Sequence, residues 1–199
     1  MEIMEKLKLL KNNTANIISL LIVPNSLISF YFIFKEEVFL AFLFIIICFF
    51  LDTIDGYIAR KMKIESSMGQ AIDSFCDLIV YLMFPVFFIF NYLNFNLFVT
   101  FFICSIVLIS GIIKLARFSK EGFVIINNEK YYRGLVVPFV LLTTAIFYIL
   151  NINNFIYINI LFPLAVILIS ILMVSNLKFK KISNFAWYAL AILLLWMIY

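Results

Sequence analysis

Long apolar runs separated by short polar stretches dominate the chain. These runs cover residues 16–34, 38–58, 71–92, 95–115, 134–150, 155–174 and 185–199. A helix that crosses the hydrocarbon layer needs ~20 mainly apolar residues, so the first six runs predict six transmembrane helices. The last run is shorter and extends to residue 199. It could span the bilayer, tilt within it or only pack against the other helices, and its length does not distinguish these arrangements.

The first 13 residues follow a different pattern from the rest of the chain. Ile3, Leu7 and Leu10 recur at helical spacing, with polar residues between them. This pattern predicts an amphipathic helix that lies in the membrane interface. The alternative is a frayed polar leader, because so short a helix is only marginally stable without a surface to lie on. The segment carries acids as well as lysines, unlike a cleavable signal peptide.

The overall composition indicates which solvent surrounds the chain. Hydrophobic residues make up 66% and charged residues 13% of the sequence, and the mean hydropathy is +1.14. These values are typical of an all-α integral membrane protein. We therefore predict a single membrane domain over residues 1–199. It divides into an interfacial helix (1–13), a six-helix core (14–176) and a C-terminal hydrophobic segment (177–199).

The basic residues are distributed unevenly between the two sides of the predicted membrane domain. If the spans alternate in direction, every Lys and Arg except Lys35 falls on one side. The positive-inside rule places that side in the cytoplasm, together with the N-terminus and the loops after the second and fourth spans. We thus expect a multi-pass protein of the cell (inner) membrane. The net charge of +4 suits an anionic lipid surface or a phosphate-bearing substrate, and it carries no nucleic-acid signature.

Cysteine and histidine usage excludes several mechanisms. Cys48, Cys76 and Cys104 each lie within an apolar run, which predicts small packing residues and no disulfide framework. The chain contains no histidine. This absence rules out Ser-His-Asp and Cys-His nucleophiles, and it rules out imidazole metal sites.

Four aspartates lie at the cytoplasmic end of two predicted spans. Asp52 and Asp55 are three residues apart, and Asp73 and Asp77 are four apart, so each pair shares a helix face. If the two helices pack antiparallel, all four carboxylates converge. Clustered carboxylates at low dielectric need cations to remain ionised, and neither pair has a Lys or Arg within its own turn. Oxygen ligands favour Mg²⁺ or Mn²⁺, and four carboxylates suffice for two ions.

Small residues extend the acidic face of the second span. Gly56 follows Asp55 directly, and Ala59 lies one turn further on. A glycine in a helix interior costs ~1 kcal/mol relative to alanine, and its usual benefit is close approach to the backbone. The face formed by Asp52, Asp55, Gly56 and Ala59 could therefore admit a metal-bound pyrophosphate and a flat base.

The spacing of these residues resembles the signature of a known enzyme family. The pattern D-x2-D-G-x2-A-R-x8-G-x3-D-x3-D of the CDP-alcohol phosphatidyltransferases matches eight positions: Asp52, Asp55, Gly56, Ala59, Arg60, Gly69, Asp73 and Asp77. The resemblance implies a six-helix membrane fold, usually dimeric. It also implies transfer of a phosphatidyl group from a CDP-linked lipid to an alcohol, with release of CMP.

The resemblance also implies a role for each matching residue. The first three aspartates would hold two divalent cations, Mg or Mn, while Asp77 would be both a ligand and the catalytic base. The CDP-lipid would contact Asp52, Asp55, Gly56, Ala59, Arg60 and Gly69. This agrees with the chemistry: two metal ions can stabilise charge that develops on phosphate oxygens, and without histidine a carboxylate is the plausible base.

Residues further along the chain resemble the phosphatidylserine synthase branch of the same family. The matching positions are Pro85, Leu115, Ala116, Arg117, Phe118, Gly134, Leu135 and Pro138. The sequence departs from that branch at Tyr81 and Leu82, where Phe-Gly is common. The resemblance implies L-serine as the acceptor. The donor stays open between CDP-diacylglycerol and CDP-archaeol, because apolar side chains do not distinguish ester from ether lipids.

A serine acceptor requires a cation for its α-carboxylate near the metal centre. Arg117, Lys114 and Arg133 flank the cytoplasmic mouth of the predicted bundle. Arg117 is the first choice, because a guanidinium fork fits a carboxylate. The alternative is that all three are ordinary positive-inside anchors.

Two further functional alternatives stay open at this point. Within the same family, glycerol 3-phosphate or inositol phosphate could be the acceptor, and either would demand several converging basic residues for its phosphate. Outside it, an ion channel or transporter also places carboxylates in the membrane. Such a pathway does not require the glycine and arginine spacing seen here. A third interpretation is structural: the four aspartates are solvated at a helix end and have no function.

Overall fold

A computed structural model describes residues 2–62, 67–93, 95–153, 156–181 and 192. Within these ranges the chain forms helices linked by short connections, with a small antiparallel sheet at one end. The α-helices are α1 (Glu2–Phe34), α2 (Val38–Met62), α3 (Ser67–Leu78), α4 (Phe84–Tyr92), α5 (Leu97–Glu121), α6 (Pro138–Ile152) and α7 (Ile158–Val174). The strands are β1 (Val124–Ile126), β2 (Glu129–Arg133) and β3 (Lys178–Lys180).

Four helical stretches are long and apolar enough to cross a bilayer. They are Ile17–Phe34, Val38–Ile58, Met68–Tyr92 and Leu97–Glu121. The apolar helices α6 and α7 are shorter, with 15 and 17 residues. Each of the first six predicted runs therefore contains a helix, which confirms a helical membrane protein. That α6 and α7 also cross the bilayer stays a prediction, and the segment 177–199 lies outside the described residues beyond 181, apart from Ile192.

The first helix is longer than the pattern predicts. It runs without a break from Glu2 to Phe34, a length of 33 residues, so residues 2–13 continue directly into the first span. The boundary expected near residue 13 is not a break in the helix. Within α1, side chains are described from Ile17 onward, and the location of the first turns in the membrane interface stays a prediction.

The third span contains an irregular turn. A π-helical turn, Ile79–Met83, connects α3 to α4, and Pro85 stands in the first turn of α4. Proline cannot donate a backbone hydrogen bond, and its ring clashes with the carbonyl four residues earlier. A widened turn just before the proline accommodates both effects. The turn begins two residues after Asp77 and directs Tyr81 and Leu82 into the core, where both are buried.

Aromatic side chains fill the centre of the bundle. The rings of Phe42 and Phe84 are 5.2 Å apart, and those of Phe42 and Phe88 are 5.1 Å apart, both in edge-on geometry. All three side chains are almost fully buried. Leu82 packs directly over Gly111 of α5, where a Cβ would collide with the leucine side chain. The absence of a side chain at residue 111 thus lets the third span and α5 approach closely.

The sheet is a feature that the all-α prediction lacked. Strands β1 and β2 form a hairpin whose turn residues, Asn127 and Asn128, have φ values of 49° and 63°. Asparagine tolerates this left-handed backbone, and two such residues suit a tight hairpin turn. Strand β3 follows α7 and pairs antiparallel with β2. The sequence signal is weak because β1 and β3 have three residues each, and β3 comes from a distant part of the chain.

Candidate active site

Three carboxylates, two from α2 and one from α3, converge in the structure. Asp52 and Asp55 of α2 and Asp73 of α3 each offer an oxygen, and these oxygens lie within 4.8 Å of one another. Asp55 is 4% exposed, whereas the other two are half-buried. The convergence expected from the motif is thus present in the structure for these three side chains. Both helices pack against α1, and this shared neighbour holds them at the distance at which the carboxylates meet.

The fourth aspartate lies next to this group. Asp77 is half-buried and follows Asp73 by one turn of the same helix. Asp77 therefore lies one helical turn from a member of the cluster, and its role as the base stays a prediction.

The donor set fits a hard divalent cation. Three carboxylates in a largely buried site repel one another unless positive charge compensates them. Their oxygens are close enough to converge on one ion through small side-chain rotations. All-oxygen coordination is typical of Mg²⁺, Mn²⁺ and Ca²⁺, so the residues suit this class of ion without selecting one of them.

A residue outside the motif also contacts the cluster. The Ser19 hydroxyl of α1 donates a hydrogen bond to Asp55 Oδ2. The Cys76 thiol donates to the Ser19 carbonyl at 3.4 Å, and the Cys48 thiol donates to the Ile22 carbonyl at 3.5 Å. The sequence patterns do not predict Ser19 as a site residue. The signal that could have identified it is a serine within an apolar span, since a buried hydroxyl needs a partner.

The cysteines behave as predicted. Cys48, Cys76 and Cys104 are free and buried. Two of them contact α1 through the thiol contacts just described, beside the helix faces that carry the aspartates. The prediction of small packing residues without disulfides is confirmed.

The remaining motif residues lie at the same end of α2 and α3. Gly56 follows Asp55 on α2 and is half-buried, and Gly69 lies in the first turn of α3. Ala59 and Arg60 belong to the last turns of α2, and their side chains lie outside the described part of the structure. The backbone therefore brings these four residues next to the carboxylates. Their contact with a CDP group stays a prediction.

The structure gives Lys114 a partner within the chain. Its ammonium donates to the carbonyl oxygens of Arg133 at 2.6 Å and Gly134 at 3.1 Å, and the side chain is 4% exposed. The ammonium also lies 5.7 Å from the centre of the Tyr132 ring. Lys114 thus connects α5 to the end of β2.

Arg117 caps the end of another helix. Its Nη2 donates to the carbonyls of Met173 at 3.0 Å and Val174 at 2.8 Å, and Nη1 donates to the carbonyl of Ser175 at 3.2 Å. These are carbonyls at the C-terminus of α7, where a cation is favourable. Its Nε is one of the buried atoms without a hydrogen-bond partner in the described part of the chain.

Arg133 and the sheet lie at the same end of the bundle as Lys114 and Arg117. The Arg133 guanidinium pairs with Glu121 at 2.9 Å, and both side chains are partly exposed. On the sheet, hydrogen bonds from Lys180 and Tyr131 hold the pKa of Glu129 below its ordinary value. All three predicted acceptor-binding cations, Lys114, Arg117 and Arg133, therefore have partners in the chain. Their role in binding an acceptor stays a prediction.

The sequence of this chain is similar to those of a known protein family. The sequence profile of the CDP-alcohol phosphatidyltransferase family matches residues 12–175. The chain is 33% identical over 144 residues to the CDP-diacylglycerol--serine O-phosphatidyltransferase of Methanocaldococcus jannaschii, which covers 72% of this chain and 65% of that protein. The chain thus spans slightly less than two thirds of the length of this relative.

Two further curated proteins are also similar. The chain is 30% identical over 147 residues to the CDP-diacylglycerol--serine O-phosphatidyltransferase of Bacillus subtilis, a match that covers 73% of this chain and 77% of that protein. It is 24% identical over 135 residues to the archaetidylserine synthase of Methanothermobacter thermautotrophicus, covering 67% of this chain and 54% of that protein.

Proposed function

Because the chain belongs to the CDP-alcohol phosphatidyltransferase family, we propose that it transfers a phosphatidyl or archaetidyl group from a CDP-linked lipid to the hydroxyl of L-serine and releases CMP. One observation carries this proposal: Asp52, Asp55 and Asp73 occupy the signature positions of the family and present oxygens within 4.8 Å of one another. The choice of serine is supported by the names of the three relatives, each of which refers to transfer to serine or to a serine lipid.

In this proposal the four aspartates divide two tasks. Asp52, Asp55 and Asp73, with help from Asp77, hold two divalent cations, Mg or Mn. Such ions, when bound, stabilise charge on the phosphate oxygens and orient the leaving group. Asp77 accepts the proton from the serine hydroxyl as its oxygen attacks the lipid-linked phosphorus. The bond from that phosphorus to the oxygen of CMP breaks, and CMP departs with the electron pair.

The donor lies along the end of α2 and the start of α3. Gly56, Ala59 and Gly69 leave room for the CDP group next to the backbone, and Arg60 supplies positive charge for the pyrophosphate. The lipid chains of CDP-diacylglycerol or CDP-archaeol extend into the membrane. The acceptor carboxylate binds near Arg117, Lys114 and Arg133, a choice supported by the position of these cations at the end of α5 and of β2.

The same proposal covers cellular location and assembly. The basic residues support a multi-pass protein of the cell (inner) membrane whose active site faces the cytoplasm. The family resemblance supports a homodimer.

The experiment that tests the proposal is CMP release by the purified protein in detergent. Each of CDP-diacylglycerol and CDP-archaeol is combined with Mg²⁺ or Mn²⁺ and with L-serine, glycerol 3-phosphate or inositol phosphate, with and without EDTA. The expected result is release that requires serine and is abolished by EDTA. An Asp52→Asn variant serves as the inactive control, because it lacks one of the converging carboxylates.

Other outcomes separate the alternatives. Release only with a phosphorylated acceptor would keep the family reaction and overturn the choice of serine. The absence of release with every acceptor would favour the channel or transporter function, which ion flux through reconstituted vesicles would then measure.

A further inference from the structure

The metal centre is contacted by a helix that carries none of the family's signature residues. Ser19 lies on α1, 36 residues before Asp55, and its hydroxyl donates to Asp55 Oδ2. Both residues are nearly inaccessible, at 6% and 4% exposure. A hydrogen bond between two such buried groups is protected from competition with water, so it restricts the carboxylate more than a surface contact would.

Ser19 also contacts the second helix that carries aspartates. Its backbone carbonyl accepts a hydrogen bond from the thiol of Cys76, at 3.4 Å, and Cys76 directly precedes Asp77. The hydroxyl therefore points to α2 and the carbonyl to α3. Ser19 is a position where α1 is connected to both helices that supply the aspartates.

The geometry suits support of a metal ligand. An ionised carboxylate has about four lone-pair positions, so one hydrogen bond to Oδ2 leaves capacity for a cation. Groups that hydrogen-bond to ligating carboxylates orient them, and their removal typically lowers metal affinity ~10- to 100-fold. By contrast, Ser26 of the same helix donates to the carbonyl of Val23 on its own helix, at 2.7 Å.

We infer that Ser19 is a positioning residue for Asp55: its hydroxyl holds the carboxylate in the orientation in which Asp55 binds a divalent cation together with Asp52 and Asp73. This inference rests on the proposed function, because it requires that the aspartates bind metal. It adds a residue from α1 to a site that the signature confines to α2 and α3.

The test compares two serine substitutions on the same helix. Ser29 is fully buried, and its hydroxyl donates to the Ala41 carbonyl of α2 at 2.7 Å. Ser29→Ala therefore makes the same chemical change at the same pair of helices without altering a hydrogen bond to Asp55. Binding of Mn²⁺ to the purified full-length protein is measured by electron paramagnetic resonance, without lipid or acceptor. We expect Ser19→Ala to raise the half-saturating Mn²⁺ concentration ~10-fold or more, and Ser29→Ala to leave it within about twofold.

A second pair of variants isolates the hydroxyl. Threonine and valine have nearly the same shape, and only threonine can donate the hydrogen bond, so Ser19→Thr should bind Mn²⁺ more tightly than Ser19→Val. This comparison decides the question even if Ser19→Ala does not fold. In the CMP-release assay, saturating metal should restore most of the turnover of Ser19→Ala.

Three results would overturn the inference, and they differ in scope. If wild type and Ser19→Ala bind Mn²⁺ with equal affinity, or if Ser19→Thr and Ser19→Val do, the hydroxyl of Ser19 has no role in metal binding. That result would leave the proposed function unaffected. Equal weakening by Ser29→Ala would show that general packing of α1 controls the affinity. A wild-type protein that binds no Mn²⁺ would overturn the metal centre itself and, with it, the proposed function.

Discussion

At the scale of single residues, the aspartates differ in their surroundings although they share one signature. Asp55 is nearly inaccessible and accepts a hydrogen bond from Ser19, whereas Asp77 is half-buried and lies one turn beyond Asp73. A ligand benefits from a fixed orientation, and a base needs access to the substrate. The surroundings of Asp55 suit a metal ligand, whereas half-burial is common to Asp52, Asp73 and Asp77 and does not single out the base, so the base role of Asp77 stays a proposal.

The base assignment predicts the behaviour of Asp77→Asn. An amide cannot accept the serine proton as a carboxylate does, so turnover should fall by about 10²- to 10⁴-fold. Metal-dependent binding of CDP-lipid should persist, because the other three carboxylates remain. Rapid-quench CMP release measures the first quantity, and equilibrium binding of labelled CDP-lipid measures the second. Asp73→Asn is the comparison, and it should weaken metal binding more. Wild-type turnover in Asp77→Asn would exclude this residue as the base.

A glycine at the end of β2 offers a second prediction at this scale. Gly134 has a φ of 79°, and a Cβ there would collide with the Met173 carbonyl oxygen. Gly122 has a similar φ of 65° but nothing within 4 Å of a Cβ. We expect Gly134→Ala to lower the free energy of unfolding by about 3 kcal/mol, and Gly122→Ala by about 1 kcal/mol. Thermal unfolding in detergent compares the two. Equal midpoints would contradict the close approach seen at Gly134.

At the scale of elements, the end of α5 contacts the end of β2 and the end of α7. Lys114 donates to carbonyls at the end of β2, and Arg117 donates to carbonyls at the end of α7. The sheet then connects the loop after α5 to the segment after α7, since β2 pairs with β3. This end of the bundle is thus held by cations bound to backbone carbonyls, in addition to apolar packing.

The Arg117→Ala variant separates two roles of this residue. Loss of the hydrogen bonds to α7 should lower the free energy of unfolding by about 2 kcal/mol, because carbonyls at the end of α7 lose a charged donor. If Arg117 also binds the serine carboxylate, the KM for serine should rise while the KM for CDP-lipid changes little. Thermal unfolding and steady-state kinetics give the two readouts. Lys120→Ala, an exposed cation one turn further along α5, is the control. An unchanged serine KM would restrict Arg117 to the support of α7.

At the scale of the whole molecule, charge and helix direction together predict an orientation for the protein in the membrane. If all the helices alternate in direction across the bilayer, the ends of α5 and α7, the sheet and the aspartate pairs lie on one side of the membrane. The basic residues would then lie on that side, apart from Lys35 in the turn between α1 and α2. This distribution supports a cytoplasmic site, which would give serine direct access to the metal centre.

Two exposed turns test this orientation. Glu36 and Asn127 both lie in turns with a left-handed backbone, on opposite predicted sides. In intact bacterial cells, a membrane-impermeant maleimide should label Glu36→Cys. It should label Asn127→Cys only after the cells are permeabilised. The buried cysteines of the wild-type chain provide the background measurement. Labelling in the reverse order would invert the orientation and exclude a cytoplasmic active site.

Several features of the fold and the site follow from the sequence alone, because they are local. Run length predicts the helices, and the spacing of Asp52, Asp55, Asp73 and Asp77 places each pair on one helix face. The residues of the family signature could therefore be identified without the tertiary structure.

Other features depended on which helices become neighbours, and only the tertiary structure decided them. The contact of Ser19 with Asp55 links positions 36 residues apart, and that of Arg117 with Met173 links positions 56 apart. Strand β3 can pair with β2 because α6 and α7 return the chain to the same end of the bundle. Sequence periodicity states which face of a helix is apolar but not which helix covers that face. The partners of buried polar groups follow from packing, which is why the structure alone revealed them.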